Sequence, residues 1–146
     1  MLNELLDKED DHPDLLDKLD WYFLPLYNPD GYFRSREVDR LWRKTTSSYQ
    51  GDECQGTDPN RNFGFQWGGE GSSNNSCSEI YQGPKPFSEV ESRNVATFLT
   101  SHKKQIKFFM SLHASSQMIL IPYGFSKNYV PAGKKQFQFS VKLDQR

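Results

Sequence analysis

A long polar stretch, residues 32–86, limits what this chain can fold into more than any other feature of its sequence. It is dominated by glycine, serine, asparagine, aspartate and proline, and its apolar residues follow neither helical nor strand periodicity. Compact domains rarely leave a segment of this length without regular structure, and loops that are this long usually carry function. We therefore expect a functional loop in the middle of the chain.

Both cysteines, Cys54 and Cys77, lie in this stretch. A disulfide between them would remove unfolded-chain entropy worth ~3 kcal/mol, in a segment that has too few apolar residues to order itself by burial. Two unrelated free thiols fit the spacing equally well. Spacing alone leaves both alternatives open.

Apolar patterns on either side of the polar stretch predict several helices. Leucines at helical spacing predict short helices within residues 2–6 and 14–19. The motif Ser88-Glu89-Val90-Glu91 has the spacing of a capping box, and a helical apolar pattern over residues 95–99 follows it. We therefore expect a third helix after the loop.

Apolar runs at residues 21–27, 106–112 and 118–121 predict strands. The segment Asn28-Pro29-Asp30-Gly31 after the first run has the composition of a turn. Helices interleaved with apolar strands indicate an α/β layer architecture with a largely buried sheet.

Length and charge exclude several classes of protein. A chain of 146 residues has the length of one domain. Its 18 basic residues nearly balance its 19 acidic ones without clustering, which argues against a nucleic-acid partner. The longest apolar runs are too short to span a membrane, and the N-terminus has neither the basic start nor the apolar stretch of an export signal.

The segment Asp58-Pro59-Asn60-Arg61-Asn62 is the first candidate for a binding site. Arginine presents a planar fork of donors that matches a carboxylate, and the adjacent Asn60 amide can add another donor without adding charge. The alternative is a polar turn whose arginine makes a surface ion pair.

Two further candidates are Arg43, which follows Trp42, and His113, at the end of a predicted strand. Arg43 is either a cation held near a site or part of an amphipathic segment that packs the indole. His113 is either a zinc ligand or a structural histidine. No two-ligand zinc motif, Gly-x-Ser-x-Gly motif or phosphate loop occurs in the sequence.

Six segments, taken in order, resemble the central part of zinc carboxypeptidases of the A/B type: Asn28-Pro29-Asp30-Gly31, Trp42-Arg43-Lys44-Thr45, Asp58-Pro59-Asn60-Arg61-Asn62, Cys77-Ser78-Glu79, Ser88-Glu89-Val90-Glu91 and Ser111-Leu112-His113. The resemblance covers residues 1–131, whereas residues 132–146 form a divergent tail. It implies a metallocarboxypeptidase that removes the last residue of a peptide, with a mixed β-sheet between two layers of helices. Relative to that family, this three-layer fold would be truncated at both ends.

The resemblance also implies roles for particular residues. Asn60 and Arg61 match the clamp for the substrate's terminal carboxylate, and Arg43 matches the cation that polarises the scissile carbonyl. His113 matches one of three zinc ligands. Cys54 and Cys77 match a disulfide pair, which implies an oxidising, extracellular location. The implied partner is a peptide or protein with a free C-terminus, bound by a monomer.

The chain departs from the family in ways that bear on activity. The other two zinc ligands and the general-base glutamate would lie outside these residues, and a family tyrosine is replaced by Ser115. The family's non-proline cis peptide would join Ala114 to Ser115. We therefore expect no peptidase activity from this chain alone, because one imidazole cannot hold a catalytic zinc. Two alternatives are a non-catalytic module that binds peptide carboxylates and a partial gene-model fragment without independent function.

Overall fold

The computed structural model describes residues 2–11, 13–114 and 118–125. In chain order, its α-helices are α1 (Leu2–Asp7), α2 (Pro13–Leu16), α3 (Pro29–Glu37) and α4 (Val90–Ser101). Two short 3-10 helices cover Glu9–Asp11 and Pro59–Arg61. The predicted helices α1 and α4 are confirmed, whereas α2 ends at Leu16, earlier than its leucine pattern indicated.

Helix α3 begins where the sequence predicted a turn, so that prediction is wrong. Asn28 is its N-cap, and the Asn28 side-chain oxygen accepts a hydrogen bond of 3.0 Å from the Gly31 N–H. An asparagine cap followed by proline and an acidic residue is favourable at a helix start, because it satisfies free N–H groups and suits the helix dipole. The Asn28 amide also donates to the Lys44 carbonyl, which fixes the start of α3 against the polar stretch.

The predicted capping box at the start of α4 is wrong as well. Glu89, not Ser88, is the N-cap, and its side chain makes no capping hydrogen bond. Instead, the Asn62 side-chain oxygen accepts from the Glu89 N–H at 3.0 Å and from the Ser92 hydroxyl at 2.6 Å. The start of α4 is therefore held by a residue from the polar stretch and not by the local motif.

The predicted strands are not confirmed, because no sheet forms within residues 2–11, 13–114 and 118–125. Their only bridge is an isolated parallel one between Ser73 and Tyr81. A strand needs a neighbour to satisfy its backbone groups, and the apolar runs have none among these residues. Their side chains are accordingly exposed, by 78% for Leu112 and 81% for Leu120.

A disulfide joins Cys54 to Cys77 with an S–S distance of 2.05 Å and a Cα–Cα distance of 4.9 Å. This confirms the pairing that the resemblance implied and removes the alternative of two free thiols. The bond closes the loop that contains the 3-10 helix Pro59–Arg61.

Polar side chains fill the interior of the described part of the chain. Its largest fully buried side chains are all polar or acidic: Glu89, Asn62, Thr45, Thr57, Asp58 and Ser92. Buried polar groups are costly unless they are hydrogen-bonded, and here Thr45 donates to Glu89, Ser92 donates to Asn62 and Asp58 accepts from Arg43. Thr57 Oγ1 is the exception, since it has no partner among the described residues.

None of the helices in the described ranges has the length and apolar character needed to cross a bilayer. The predicted cis bond after Ala114 and the predicted tail, residues 132–146, lie outside the described residues.

Candidate functional site

Asp58 connects two of the candidate residues. Its Oδ2 accepts from Nε and Nη2 of Arg43 at 3.1 and 2.8 Å, and its Oδ1 accepts from the Asn60 N–H at 3.0 Å. The Asp58 side chain is 1% exposed, whereas that of Arg43 is 43% exposed. A buried carboxylate therefore orients a half-exposed guanidinium and also caps the 3-10 helix that carries Asn60 and Arg61.

Arg61 is held by backbone carbonyls and not by an acid. Its Nε donates to the Gly71 carbonyl at 2.7 Å, and its Nη1 donates to the Asn60 carbonyl at 3.2 Å. Neither contact neutralises its charge, and its Nη2 has no partner within the described ranges. The alternative that Arg61 serves a surface ion pair is thus not supported, since the ion pair at this site belongs to Arg43.

The two neighbours Trp42 and Arg43 point to different partners. The Trp42 indole N–H donates to the Thr45 carbonyl at 3.2 Å, and the Arg34 guanidinium lies 3.9 Å from the ring centroid. Trp42 therefore packs against α3 through a cation–π contact, while Arg43 turns to Asp58. The structure thus shows how the indole packs, whereas the role of Arg43 as a cation beside a binding site stays a prediction.

His113 makes no hydrogen bond to Arg43, Asp58, Asn60 or Arg61 in the described part of the chain. It is exposed, and its Nε2 lies 3.1 Å from the Ser111 hydroxyl oxygen in the same segment. Among residues 2–11, 13–114 and 118–125, no group of three or more histidine, cysteine, aspartate or glutamate side chains is placed to hold a metal ion. These residues do not assemble a zinc site with the usual three ligands. The role of His113 as a zinc ligand stays a prediction.

Glu89 is a residue of this region whose importance sequence reasoning missed. Its side chain is 2% exposed, and its carboxylate accepts hydrogen bonds from four hydroxyls, those of Thr45, Ser47, Tyr49 and Ser88. Burial alone would raise the pKa of Glu89, but these hydrogen bonds outweigh it and hold the pKa below its ordinary value. Glu89 is therefore a buried anion at neutral pH.

A signal for this cluster exists in the sequence. Residues 45–49, Thr-Thr-Ser-Ser-Tyr, all carry hydroxyls, and an extended backbone would place those at positions 45, 47 and 49 on one side of the segment. The run indicates a polar partner for one of its sides, although it identifies neither that side nor Glu89.

Comparison with known proteins bears on these assignments. A family model described as zinc carboxypeptidase matches residues 1–143. A zinc carboxypeptidase of Simulium vittatum is 46% identical over 125 residues, which cover 85% of this chain and 41% of the relative. Carboxypeptidase A2 of Rattus norvegicus is 49% identical over 111 residues, 76% of this chain and 26% of the relative. Carboxypeptidase B of Astacus astacus is 42% identical, over 88% of this chain and 43% of the relative. The chain thus spans 26–43% of the length of these relatives.

Solved structures show the same similarity. The carboxypeptidase A of Helicoverpa armigera superposes with a TM-score of 0.89 at 32% identity, over 99% of this chain and 35% of that one. Bovine thrombin-activatable fibrinolysis inhibitor, solved in complex with a tick carboxypeptidase inhibitor, gives a TM-score of 0.86 at 39% identity. The match covers 96% of this chain and 48% of that one. The α/β fold class predicted from the sequence is confirmed by this likeness.

Proposed function

Because the chain belongs to the zinc carboxypeptidase family, we propose that it serves the zinc-dependent removal of the C-terminal residue from peptides and proteins, and that its own part is to bind the terminal carboxylate. In this proposal, Asn60 and Arg61 hold the carboxylate. Arg43 lies beside them and polarises the scissile carbonyl.

The observation that carries the proposal is the Arg43–Asp58–Asn60 connection. A single buried carboxylate hydrogen-bonds to one arginine and caps the short helix that holds the other. Arg61 keeps its full charge and a spare donor, so a substrate carboxylate can complete its fork. Preorganised cations of this kind favour an anionic ligand because little freedom is lost on binding.

For the metal, we propose that His113 supplies one of three zinc ligands. Zinc in this family's chemistry would activate a water molecule and polarise the scissile carbonyl. The described residues of this chain do not provide a full ligand set, so their own contribution is to bind and orient the substrate. The finer fold proposal, a mixed sheet between two layers of helices, rests on the likeness to the solved carboxypeptidases.

The proposed location is extracellular. It is supported by the Cys54–Cys77 disulfide, since such bonds persist in oxidising compartments and are rare in the cytosol.

The Arg43–Asp58–Asn60 hydrogen bonds also support a second function, because a module that binds peptide C-termini without cleaving them needs oriented donors of this kind and no metal. Zinc titration followed by NMR of the histidine rings separates the two proposals, because only the first gives His113 a role as a zinc ligand. A zinc-dependent change at the His113 ring supports the enzyme, whereas peptide binding without any effect of zinc on His113 supports the module.

Calorimetry with a short peptide and its C-terminally amidated twin tests carboxylate binding itself. We expect the free acid to bind and Arg61→Gln to weaken it at least about tenfold, because a charge-assisted pair is lost. Arg36→Gln is the matched control, since Arg36 is an exposed arginine on α3 whose hydrogen bond, to the Tyr32 hydroxyl, lies within that helix. Equal binding of acid and amide would refute a carboxylate site.

A further inference from the structure

We propose that Glu89 is a positioning residue that sets the distance between the two arms of the carboxylate site, an inference that rests on the proposed function. The first arm is the segment Arg43–Thr45, and the second arm is Asn60–Asn62. Glu89 contacts neither guanidinium. It acts through the residues that follow each of them in the chain.

The first arm is attached to Glu89 through Thr45. Glu89 Oε2 accepts from the Thr45 hydroxyl at 2.7 Å. Thr45 is in turn paired with Thr57, because its N–H donates to the Thr57 carbonyl at 2.8 Å and its hydroxyl oxygen accepts from the Thr57 N–H at 3.0 Å. Since Thr57 directly precedes Asp58, this pairing places the Arg43 guanidinium next to the Asp58 carboxylate that orients it.

The second arm is attached through Asn62, which directly follows Arg61. The Glu89 N–H donates to the Asn62 side-chain oxygen at 3.0 Å. On the other side of the amide, Asn62 Nδ2 donates to the Ser88 hydroxyl oxygen, and that hydroxyl donates to Glu89 Oε1, each at 2.8 Å. Asn62 is 0% exposed, so solvent cannot replace these contacts.

The direction of these hydrogen bonds suits a carboxylate. The hydroxyl oxygens of Thr45 and Ser88 each accept an N–H, which leaves the Ser88 hydrogen to donate to Glu89 and the Thr45 hydrogen to donate either to Glu89 or to the Ser47 hydroxyl 3.0 Å away. An ionised carboxylate accepts at both oxygens, whereas an amide offers one acceptor and one pair of donors. In Glu89→Gln, therefore, one pair of hydroxyls, either that of Thr45 and Ser47 or that of Tyr49 and Ser88, faces an NH2 donor instead of an acceptor oxygen.

A buried charge is seldom the most stabilising choice for an interior, since apolar residues of similar volume often serve as well. Glu89 makes no ion pair with any residue in the described ranges. Glu89 instead offers hydrogen bonds in defined directions. Its carboxylate oxygens and its backbone N–H together hold two segments that are separated in the sequence. This is the property that a site with two cationic arms needs.

Two tyrosines provide matched variants for the test. Tyr49→Phe removes a hydroxyl that donates to Glu89 Oε1 at 2.8 Å. Tyr81→Phe removes a hydroxyl that donates to Asp52 at 3.2 Å and has no contact with either arm. Glu89→Gln is the stronger variant, and Tyr49→Phe remains informative if Glu89→Gln does not fold.

The first readout is side-chain NMR of the Arg43 Nε–H in the full chain, because its exchange rate reports the hydrogen bond to Asp58 directly. The second is calorimetry with the free-acid peptide. We expect Tyr49→Phe and Glu89→Gln each to accelerate Arg43 Nε–H exchange about tenfold and to weaken peptide binding about tenfold. Tyr81→Phe should leave the exchange rate and the binding unchanged, even if it lowers the melting temperature as much as Tyr49→Phe does.

Unchanged Arg43 exchange in both Tyr49→Phe and Glu89→Gln would overturn the inference, as would an equal change in Tyr81→Phe. The exchange readout needs no ligand, so it decides the positioning role separately from the proposed function. The wild-type chain could bind the acid and amide peptides equally while Tyr49→Phe and Glu89→Gln still accelerate Arg43 Nε–H exchange. In that case the proposed function fails and the positioning role stands.

Discussion

Replacing Asp58 separates its two structural roles. In Asp58→Ala, the Asn60 N–H loses its cap, which costs about 1 kcal/mol. The same variant loses the charge-assisted hydrogen bonds to Arg43, worth about 1–2 kcal/mol after allowing for the exposed side of that guanidinium. We therefore expect a total loss of about 2–3 kcal/mol in the free energy of unfolding.

Asp58→Asn provides the matched control. Asparagine caps helices as well as aspartate does, so its oxygen can keep the bond to the Asn60 N–H while its NH2 group faces the Arg43 donors. It should lose only the Arg43 contribution and be more stable than Asp58→Ala by about 1 kcal/mol. Urea denaturation followed by circular dichroism measures both variants. Equal stabilities for the two variants, or losses below about 0.5 kcal/mol for both, would refute the connecting role of Asp58.

Three further predictions follow from other contacts. In Gly31→Ala, the added Cβ would lie 2.5 Å from a backbone carbonyl oxygen, so we expect a loss of about 2 kcal/mol or more in thermal denaturation; Gly124→Ala, where nothing lies within 4 Å, should be nearly neutral. Removing the Cys54–Cys77 disulfide by a double serine substitution should cost about 3 kcal/mol, and a melting temperature equal to wild type would contradict this. Because the folded pKa of Glu89 lies below its ordinary value of 4.5, its ionisation stabilises the fold above that pH, and this contribution is lost as the pH falls through the folded pKa. Unfolding free energies measured between about pH 3 and pH 6 should therefore fall toward acid in wild type, with a shallower slope in Glu89→Gln.

The sequence was most informative where a local pattern was sufficient. Leucines at helical spacing predicted α1, the apolar pattern over residues 95–99 predicted α4, and the resemblance implied the disulfide. Helix α3 was missed because its cap, Asn28, shares its chemistry with a turn, and only the following residues decide between the two.

The candidate site shows where local reasoning ends. The motifs identified Arg43 and Arg61 as cations, but not that Asp58 connects them or that Arg61 is held by backbone carbonyls. The Arg43–Asp58 and Arg61–Gly71 contacts join residues 15 and 10 positions apart, and no periodicity in the sequence predicts them. The strand predictions required a neighbouring strand that no described segment provides. The β-propensity of a segment predicts a strand only where a neighbouring strand is also present to pair with it.

The polar interior has a consequence for how the fold responds to temperature. Exposure of apolar surface raises the heat capacity on unfolding, and exposure of polar surface lowers it. Since the largest fully buried side chains are threonine, serine, asparagine, aspartate and glutamate, calorimetry should give a heat-capacity increment below the usual ~12–15 cal/mol/K per residue. The free energy of unfolding of this protein should then vary only weakly with temperature, so that its stability changes little on cooling.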